Sequence, residues 1–312
     1  MREHIAPALY YLGVHLFFAS MVCIVAWMLT SLRAMSATAK YWIWVATSLN
    51  FILPLAGVID RFGASHISWA TPLSAIGDIG VAFSRNLPAL ALLCLVWLLG
   101  ATAMLTRLLL RVWVERRNNP ATDSPRAFPV TRSFLVRGVP VTFAANQEAP
   151  SVNGILRPQI ALPLGIERLL SERELDAVLV HELVHARRRD NLFRLLHEVG
   201  LCALWFHPFV WLAGSRVALY RELSCDEPVI RNAQGEDLVS ALAKLANPAN
   251  SFLLRSAASS LLSQRIGPLT ASEPQRAWLG ADYLLAMVFG VVLLAGVFET
   301  IAHTACCFIV KA

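Results

Sequence analysis

Two histidines and a glutamate in the middle of the chain have the spacing needed to bind a metal ion and to activate water. The segment HELVH places His181 and His185 four residues apart, with Glu182 directly after the first. On an α-helix, residues four apart share a face, so both imidazoles can coordinate one ion, while Glu182 is turned by about 100°. A carboxylate placed in this way serves as a general base toward water, and the pattern is typical of zinc peptidases.

A helix has to carry this motif, and the residues before it supply a start signal. Ser171 is followed three residues later by Glu174, which is the capping-box pattern of a helix N-terminus. We therefore predict that the metal-binding helix begins at Glu172.

A catalytic zinc site needs a third protein ligand. His207 lies in the segment WFHPFVW, where Pro208 predicts the start of another helix. That helix would carry RELSCD, in which Glu222 and Asp226 are four apart and share a face. This arrangement suits Glu222 as the third ligand and Asp226 as the acceptor that orients a ligating histidine. Cys225 is the alternative ligand.

Long segments without charged residues flank this region. The chain is 56% hydrophobic and 15% charged, whereas soluble domains carry about 25% charged residues. Segments of this length and apolarity predict membrane-spanning helices, and the alternative is buried helices of a large globular protein. We predict four spans, at about 9–32, 41–59, 88–110 and 282–304.

The charges concentrate elsewhere. Residues 107–281 hold 21 of the 27 basic and 16 of the 21 acidic residues, which predicts a soluble domain at 111–281 between membrane segments at 1–110 and 282–312. Basic residues after the third span predict a cytoplasmic domain, with both termini outside the cell (inner) membrane. The predicted fold class is an α-helical membrane protein with four transmembrane helices and an inserted α+β zinc metalloprotease domain. Scattered basic residues without a binding motif argue against nucleic acid as a partner.

The motifs taken together resemble those of a known family. The chain resembles the BlaR/MecR antirepressor family of gluzincin-like membrane zinc peptidases. The resemblance rests on the order of four motifs: HELVH, RRRD, WFHPFVW and RELSCD, whose glutamate comes 37 residues after the second histidine. The segments at 149–163 (APSVNGILRPQIALP) and 263–269 (SQRIGPL) also resemble that family, so the resemblance covers nearly the whole chain. It implies zinc ligation by His181, His185 and Glu222, general base catalysis by Glu182, and an orienting role for Asp226.

This resemblance implies a membrane-embedded endopeptidase with one catalytic Zn²⁺ that hydrolyses a cytoplasmic protein, a winged-helix transcriptional repressor, in a signalling role. Related receptors cut themselves, which suggests a self-cleavage site around Ser251–Phe252. The sensor members continue into an extracellular penicillin-binding domain, whereas this sequence stops at Ala312 and contains no S-x-x-K motif. We therefore expect no such sensor domain and no direct covalent binding of a β-lactam.

Two other functions remain open. A membrane quality-control protease of the HtpX/Ste24 type would share the HExxH motif and the later E-x-x-x-D. A non-catalytic membrane scaffold would keep the metal site for structure or not keep it at all. The RRRD segment, the WFHPFVW segment and the arrangement of three spans before the domain and one after favour the antirepressor function.

Two further features have alternative interpretations. Residues 139–163 mix extended-favouring residues with Pro and Gly, so a strand there would either offer its edge to an extended peptide substrate or simply cover the metal-binding helix. The basic run Arg187–Arg189 is interpreted as solvated helix surface, with a repressor or anionic lipid as alternative contacts.

Overall fold

The computed structural model describes residues 2–31, 35–52, 86–118, 133–144, 147, 149–245 and 257–270. This part of the chain is mostly helical with one small sheet, in agreement with the predicted combination of helices and strands. The helices are α1 (Arg2–Thr30), α2 (Ala37–Ile52), α3 (Leu87–Asn118), α4 (Ile166–Leu169), α5 (Glu172–Arg188), α6 (Asp190–Ala203), α7 (Pro208–Arg231), α8 (Gly235–Leu245) and α9 (Ala257–Thr270); the strands are β1 (Ser133–Val136), β2 (Val139–Ala144), β3 (Ser151–Asn153) and β4 (Gln159–Pro163).

Among the described residues, one helix is long and apolar enough to cross a membrane. It is the stretch Pro88–Val114 of α3, which carries many exposed apolar side chains; Leu92 and Leu99, for example, are more than half exposed. Its position coincides with the predicted span at 88–110. Exposed apolar surface along a whole helix is what a lipid-facing segment presents.

The other predicted spans have different outcomes. The span at 9–32 falls on α1, in which the apolar stretch found among the described residues is His15–Thr30. The span at 41–59 begins within α2, which ends at Ile52, and the span at 282–304 lies outside the described residues. Within the described ranges, the structure therefore supports one membrane-spanning helix by length and composition.

Helix α2 lies inside the protein. The side chains of Tyr41, Ile43 and Trp44 are fully buried, and α2 packs against α1, α6 and α7. The core between these helices contains Trp44, Phe51 and Ala213. Helix α7, which carries the RELSCD segment, is thereby held against the apolar N-terminal helices.

The sheet packs against the predicted metal-binding helix. Its strand order is β1-β2-β4-β3, with β2 and β4 parallel and the two outer pairings antiparallel. Inward-facing residues of β2 and β4, including Val141 and Leu162, form a core with Val178 and Leu183 of α5. One face of α5 is thus covered by the sheet, and this burial fixes the helix that carries the HELVH motif.

The predicted start of α5 is confirmed. Ser171 accepts a hydrogen bond from the Glu174 amide, and the Glu174 carboxylate accepts one from the Ser171 amide. The same carboxylate accepts bonds from the Ser240 hydroxyl and the Lys244 ammonium of α8, at 2.5 and 2.7 Å. Lys244, Ser240 and the Ser171 amide together lower the pKa of Glu174 to about 2.

Replacement of Glu174 by glutamine is expected to destabilise the protein by about 1–2 kcal/mol at neutral pH, because a charged acceptor of several hydrogen bonds is lost. The lowered pKa means that the folded state favours the ionised carboxylate. Its contribution is therefore complete above the ordinary pKa of 4.5 and is lost as the pH falls toward about 2. Thermal unfolding of both proteins across this range should show the difference shrinking, and a constant difference would contradict the assignment.

The end of α5 determines what lies beside its second histidine. Arg189 adopts a left-handed conformation, with φ 57° and ψ 47°, and ends α5, after which α6 starts at Asp190. This change of direction brings the Asp190 carboxylate back to His185, where Oδ2 lies 2.6 Å from Nδ1. Arg189 is exposed, as expected for a residue that forms such a turn.

Candidate metal centre

Three potential ligand atoms converge between α5 and α7. The Nε2 atoms of His181 and His185 are 3.2 Å apart, and Oε2 of Glu222 lies 3.7 Å from the first and 3.9 Å from the second. The two histidines are mostly buried, and the Glu222 side chain is 16% exposed. The structure therefore brings together the three residues that the sequence predicted as metal ligands.

Asp226 lies behind the first histidine. Its Oδ1 is 2.9 Å from His181 Nδ1, an approach that has the distance of a hydrogen bond but not its full angular alignment. Asp226 is one helical turn beyond Glu222 on α7, so one face of that helix supplies both carboxylates. This position corresponds to the orienting acceptor predicted from the sequence.

Asp190 lies behind the second histidine in the same way. Its hydrogen bond with His185 Nδ1 is 2.6 Å long, and its side chain is 4% exposed. The sequence analysis did not assign a role to Asp190. The signal available was the aspartate in RRRD, but its position next to His185 depends on the left-handed conformation of Arg189, which the sequence pattern does not reveal.

Each of these aspartates is held by an arginine fork. Arg188 donates from Nε and Nη2 to the two oxygens of Asp190, at 2.6 and 2.7 Å. Arg265 of α9 donates from Nε and Nη2 to the two oxygens of Asp226, at 2.8 and 2.7 Å. Two His–Asp–Arg arrays, His181–Asp226–Arg265 and His185–Asp190–Arg188, therefore converge on one point.

Arg188 corrects one sequence interpretation. Arg187 and Arg189 are exposed, as the solvated-surface interpretation expects, but the Arg188 side chain is only 8% exposed. Beyond Asp190, it donates to the Ser224 hydroxyl at 2.6 Å. For Arg188 the surface interpretation was wrong, because the turn after α5 folds an acidic partner over its side chain.

The charges around the site keep its carboxylates ionised. Burial by itself would raise the pKa of Asp190, but Arg188 and His185 outweigh this effect and lower it to about 2. The pKa of Glu222 is likewise lowered well below its usual value, against the effect of burial, by His181, His185 and Arg221. Arg221 donates two hydrogen bonds to Oε1 of Glu222, at 3.1 and 2.9 Å, which leaves Oε2 directed at the histidines.

The arrangement fits a cation. Ionised carboxylates only accept hydrogen bonds, so each histidine presents its Nδ1–H to an aspartate. The two Nε2 atoms, which face each other, are then left to bind a proton or a metal ion. Burial lowers the pKa of His181, but Asp226 and Glu222 outweigh this and raise it to about 9, so the two carboxylates favour positive charge at this point. Tetrahedral zinc with bonds of 2.0–2.1 Å separates its ligand atoms by about 3.3 Å, close to the 3.2–3.9 Å found here.

Glu182 is the predicted general base. It follows His181 on α5 and is partly exposed. Within the described part of the chain, its carboxylate forms no hydrogen bond or ion pair. A carboxylate adjacent to the ligand cluster and free of a fixed partner is available to a water molecule or a substrate.

Cys225 lies on the far side of the histidines from Glu222 Oε2. Its Sγ is 3.4 Å from Nδ1 of His185, the nitrogen already bonded to Asp190, and 3.2 Å from Nη2 of Arg188. Burial raises the pKa of the Cys225 thiol well above its usual value. His185, Asp190 and Cys225 also bring possible ligand atoms within 4.8 Å of one another. Because Nδ1 of His185 and both oxygens of Asp190 are already hydrogen-bonded, the position favours core packing over ligation for Cys225.

Strand β3 lies at the edge of the sheet, beside β4. The carbonyls of Val152 and Gly154 accept hydrogen bonds from the Asn191 side chain of α6, at 2.8 and 3.2 Å. These two acceptors are therefore already used, and the strands pack on α5 as a cover. Of the two sequence interpretations, the structure supports the cover directly.

A helix with an HExxH motif, packed against a second helix that supplies a glutamate, is typical of the metal centre of a metallopeptidase. A sequence model described as BlaR1 peptidase M56 matches residues 9–269, and the chain belongs to this family.

Individual relatives agree with this assignment. The regulatory protein BlaR1 of Bacillus licheniformis is 26% identical over 185 residues, which cover 53% of this chain and 28% of that protein. The methicillin resistance mecR1 protein of Staphylococcus aureus is 26% identical over 98 residues, 31% of this chain and 17% of the relative. A protease HtpX homolog of Methylibium petroleiphilum is 35% identical over 79 residues, 23% of this chain and 28% of the relative. The chain thus matches less than a third of the length of each relative.

Proposed function

We propose that the protein is a membrane-embedded zinc endopeptidase that hydrolyses a cytoplasmic protein. The observation that carries this proposal is the convergence of two histidine Nε2 atoms and Glu222 Oε2, each histidine being oriented from behind by an aspartate. Membership of a peptidase family supports the hydrolytic activity.

In this mechanism, zinc would be held by His181, His185 and Glu222, and when bound it supplies a Lewis acid that polarises the scissile carbonyl and lowers the pKa of water. Glu182 accepts a proton from the attacking water, whose oxygen bonds to the carbonyl carbon. As the carbon–nitrogen bond breaks, Glu182 delivers the proton to the leaving nitrogen. Asp226 and Asp190 keep the Nδ1–H groups of the histidines in place throughout.

The proposal includes four membrane spans, a cytoplasmic domain at 111–281 and both termini outside. The exposed apolar stretch of α3 supports the third span. For the substrate, we propose a winged-helix transcriptional repressor, because the chain is similar to proteins named for regulation and for methicillin resistance. Self-cleavage around Ser251–Phe252 is part of the same proposal, and that segment lies outside the described residues.

A quality-control protease is the second candidate. The specific observation that favours it is the 35% identity to a protease HtpX homolog, which is higher than the identity to BlaR1 or mecR1 although it covers a shorter stretch. Both candidates require the same metal centre and differ in the substrate that they accept.

Metal analysis of the purified protein tests the centre itself. We expect about one zinc ion per wild-type chain and a loss of most of it in His185→Ala and in Glu222→Ala, because each removes one of three ligands. His197→Ala is the matched control, since His197 bonds Ser48 of α2 through Nδ1 at 2.7 Å, away from the ligand cluster. A wild-type protein without stoichiometric zinc would exclude both protease functions and leave the scaffold function.

A further inference from the structure

The apolar helix α2 reaches the metal centre through one side chain. The Tyr41 hydroxyl donates a hydrogen bond of 2.9 Å to Oδ1 of Asp190. The guanidinium carbon of Arg188 lies 3.8 Å from the centre of the Tyr41 ring. Tyr41 has no exposed surface and Asp190 is 4% exposed. The contact is therefore shielded from water, where a hydrogen bond to a charged acceptor has its largest effect.

With Tyr41, the Asp190 carboxylate accepts four hydrogen bonds. Oδ1 accepts from Tyr41 and from Nε of Arg188, while Oδ2 accepts from His185 and from Nη2 of Arg188. A carboxylate has about four acceptor sites, so this set saturates it. Each donor fixes one direction, and together they leave the carboxylate a single orientation toward His185.

The other array is built differently. Asp226 faces His181 and is held by the Arg265 fork, and among the described residues no tyrosine hydroxyl reaches it. His185 is also the more exposed of the two histidines, with 12% of its side chain exposed against 7% for His181. The His185–Asp190–Arg188 array, whose aspartate accepts a fourth hydrogen bond from Tyr41, is therefore the one in which the histidine is less tightly packed.

Helix α2 has a second fixed point near the centre. The carboxylate of Glu227, the residue after Asp226 on α7, accepts hydrogen bonds from the amides of Ala37 and Thr38 and from the Thr38 hydroxyl. Negative charge at a helix N-terminus is favourable because the free amides and the helix dipole point toward it. The first turn of α2 is thus tied to the helix that supplies Glu222 and Asp226.

We propose that Tyr41 is a positioning residue of the metal centre, whose hydroxyl fixes Asp190 and thereby the orientation of the His185 imidazole. Through this contact, helix α2 and the second histidine keep a defined relative position. This inference rests on the proposed function, namely that His181, His185 and Glu222 hold a metal ion.

The test is Tyr41→Phe, which removes one hydroxyl and keeps the ring under Arg188. We expect the zinc dissociation constant, measured by competition with a chromophoric chelator, to rise about three- to tenfold. Loss of a residue that directly orients a ligand costs about 10–100-fold, and Tyr41 is one contact further away. We also expect the visible absorption bands of the Co²⁺-substituted protein to shift, because they report the geometry of the ligands.

Ser48→Ala is the matched control. It removes another hydroxyl from α2, one that bonds His197 of α6 at 2.7 Å, and so loosens the same pair of helices without touching Asp190. We expect wild-type zinc affinity and an unshifted Co²⁺ spectrum for Ser48→Ala. Equal effects of the two variants would overturn the proposal, because they would show general loosening.

A double-mutant cycle provides the second test. In an Asp190→Asn background, Tyr41→Phe should change the zinc dissociation constant by less than twofold. The reason is that Tyr41 acts on His185 through the Asp190 carboxylate, which this background lacks. A full additional effect in that background would overturn the proposal, as would wild-type affinity and spectrum in Tyr41→Phe alone. Failure of the proposed function looks different, because the wild-type protein itself would then bind no stoichiometric zinc.

Discussion

Glutamine in place of Glu182 is expected to lower peptide hydrolysis by about 10²–10⁴-fold, the range that general acid–base catalysis supplies. Glutamine keeps the size of the side chain but cannot accept a proton from water. Because Glu182 has no fixed partner within the described residues and is not among the three converging ligands, zinc content should stay near one ion per chain. Cleavage rates and metal content should be measured on the same preparation.

The choice of substrate separates the two proteases. For the antirepressor function, we expect the protein to cleave a winged-helix repressor and to leave an unfolded protein such as reduced casein intact. For quality control, we expect it to cleave the unfolded protein and to leave the repressor intact. Residual activity of Glu182→Gln above a tenth of wild type would contradict the role of Glu182.

Intact-mass analysis of wild type and Glu182→Gln tests self-cleavage. Fragments divided near Ser251–Phe252 in wild type only would support self-cleavage, and an uncut chain in both proteins would exclude it.

Loss of the Arg265 fork is expected to weaken zinc binding about 10–100-fold, the range found when groups that orient metal ligands are removed. In Arg265→Gln, the buried Asp226 loses a bidentate cationic partner, and Glu222 loses a positive charge 3.5 Å from Oε2. Arg265→Lys should recover only part of the affinity, because an ammonium cannot reproduce the planar fork. Chelator competition measures the dissociation constants.

A second variant displaces Arg265 without changing it. A Cβ atom on Gly235 of α8 would lie 2.2 Å from the carbonyl oxygen of Leu269 on α9. We therefore expect Gly235→Ala to push the two helices apart and to weaken the contact between Arg265 and Asp226. Thr270→Ala is the control, since among the described residues the Thr270 hydroxyl bonds only to carbonyls of its own helix. Wild-type zinc affinity in both Arg265→Gln and Gly235→Ala would show that α9 does not support the metal centre.

Local sequence patterns were sufficient where the structure depends on nearby residues. The capping box at Ser171 and Glu174 fixed the start of α5, and Pro208 marked the start of α7. The four-residue spacings then placed His181 beside His185 and Glu222 beside Asp226 on their own helices. These features follow from the period of the α-helix, which any sequence of this type expresses in the same way.

The membrane prediction depends on a different kind of information. Low charge predicted helices at 41–59 and 88–110 alike, yet α2 is buried among other helices whereas α3 exposes its apolar side chains. A buried helix and a lipid-facing helix have similar compositions, because both avoid water. Only packing distinguishes them, and packing depends on residues far away in the chain.

The sequence by itself therefore determined the two helices of the candidate metal centre, and it predicted the ligands and the general base that we propose. Asp226 behind His181 was also predicted from the sequence, but only the tertiary structure decided the other groups that stand behind the two histidines. Asp190 reaches His185 because Arg189 takes a left-handed conformation, and Arg265 and Tyr41 approach the two aspartates from helices far away in the chain. Hydrogen bonds of this kind require exact distances and directions between elements, whereas periodicity records only which residues of one element share a face.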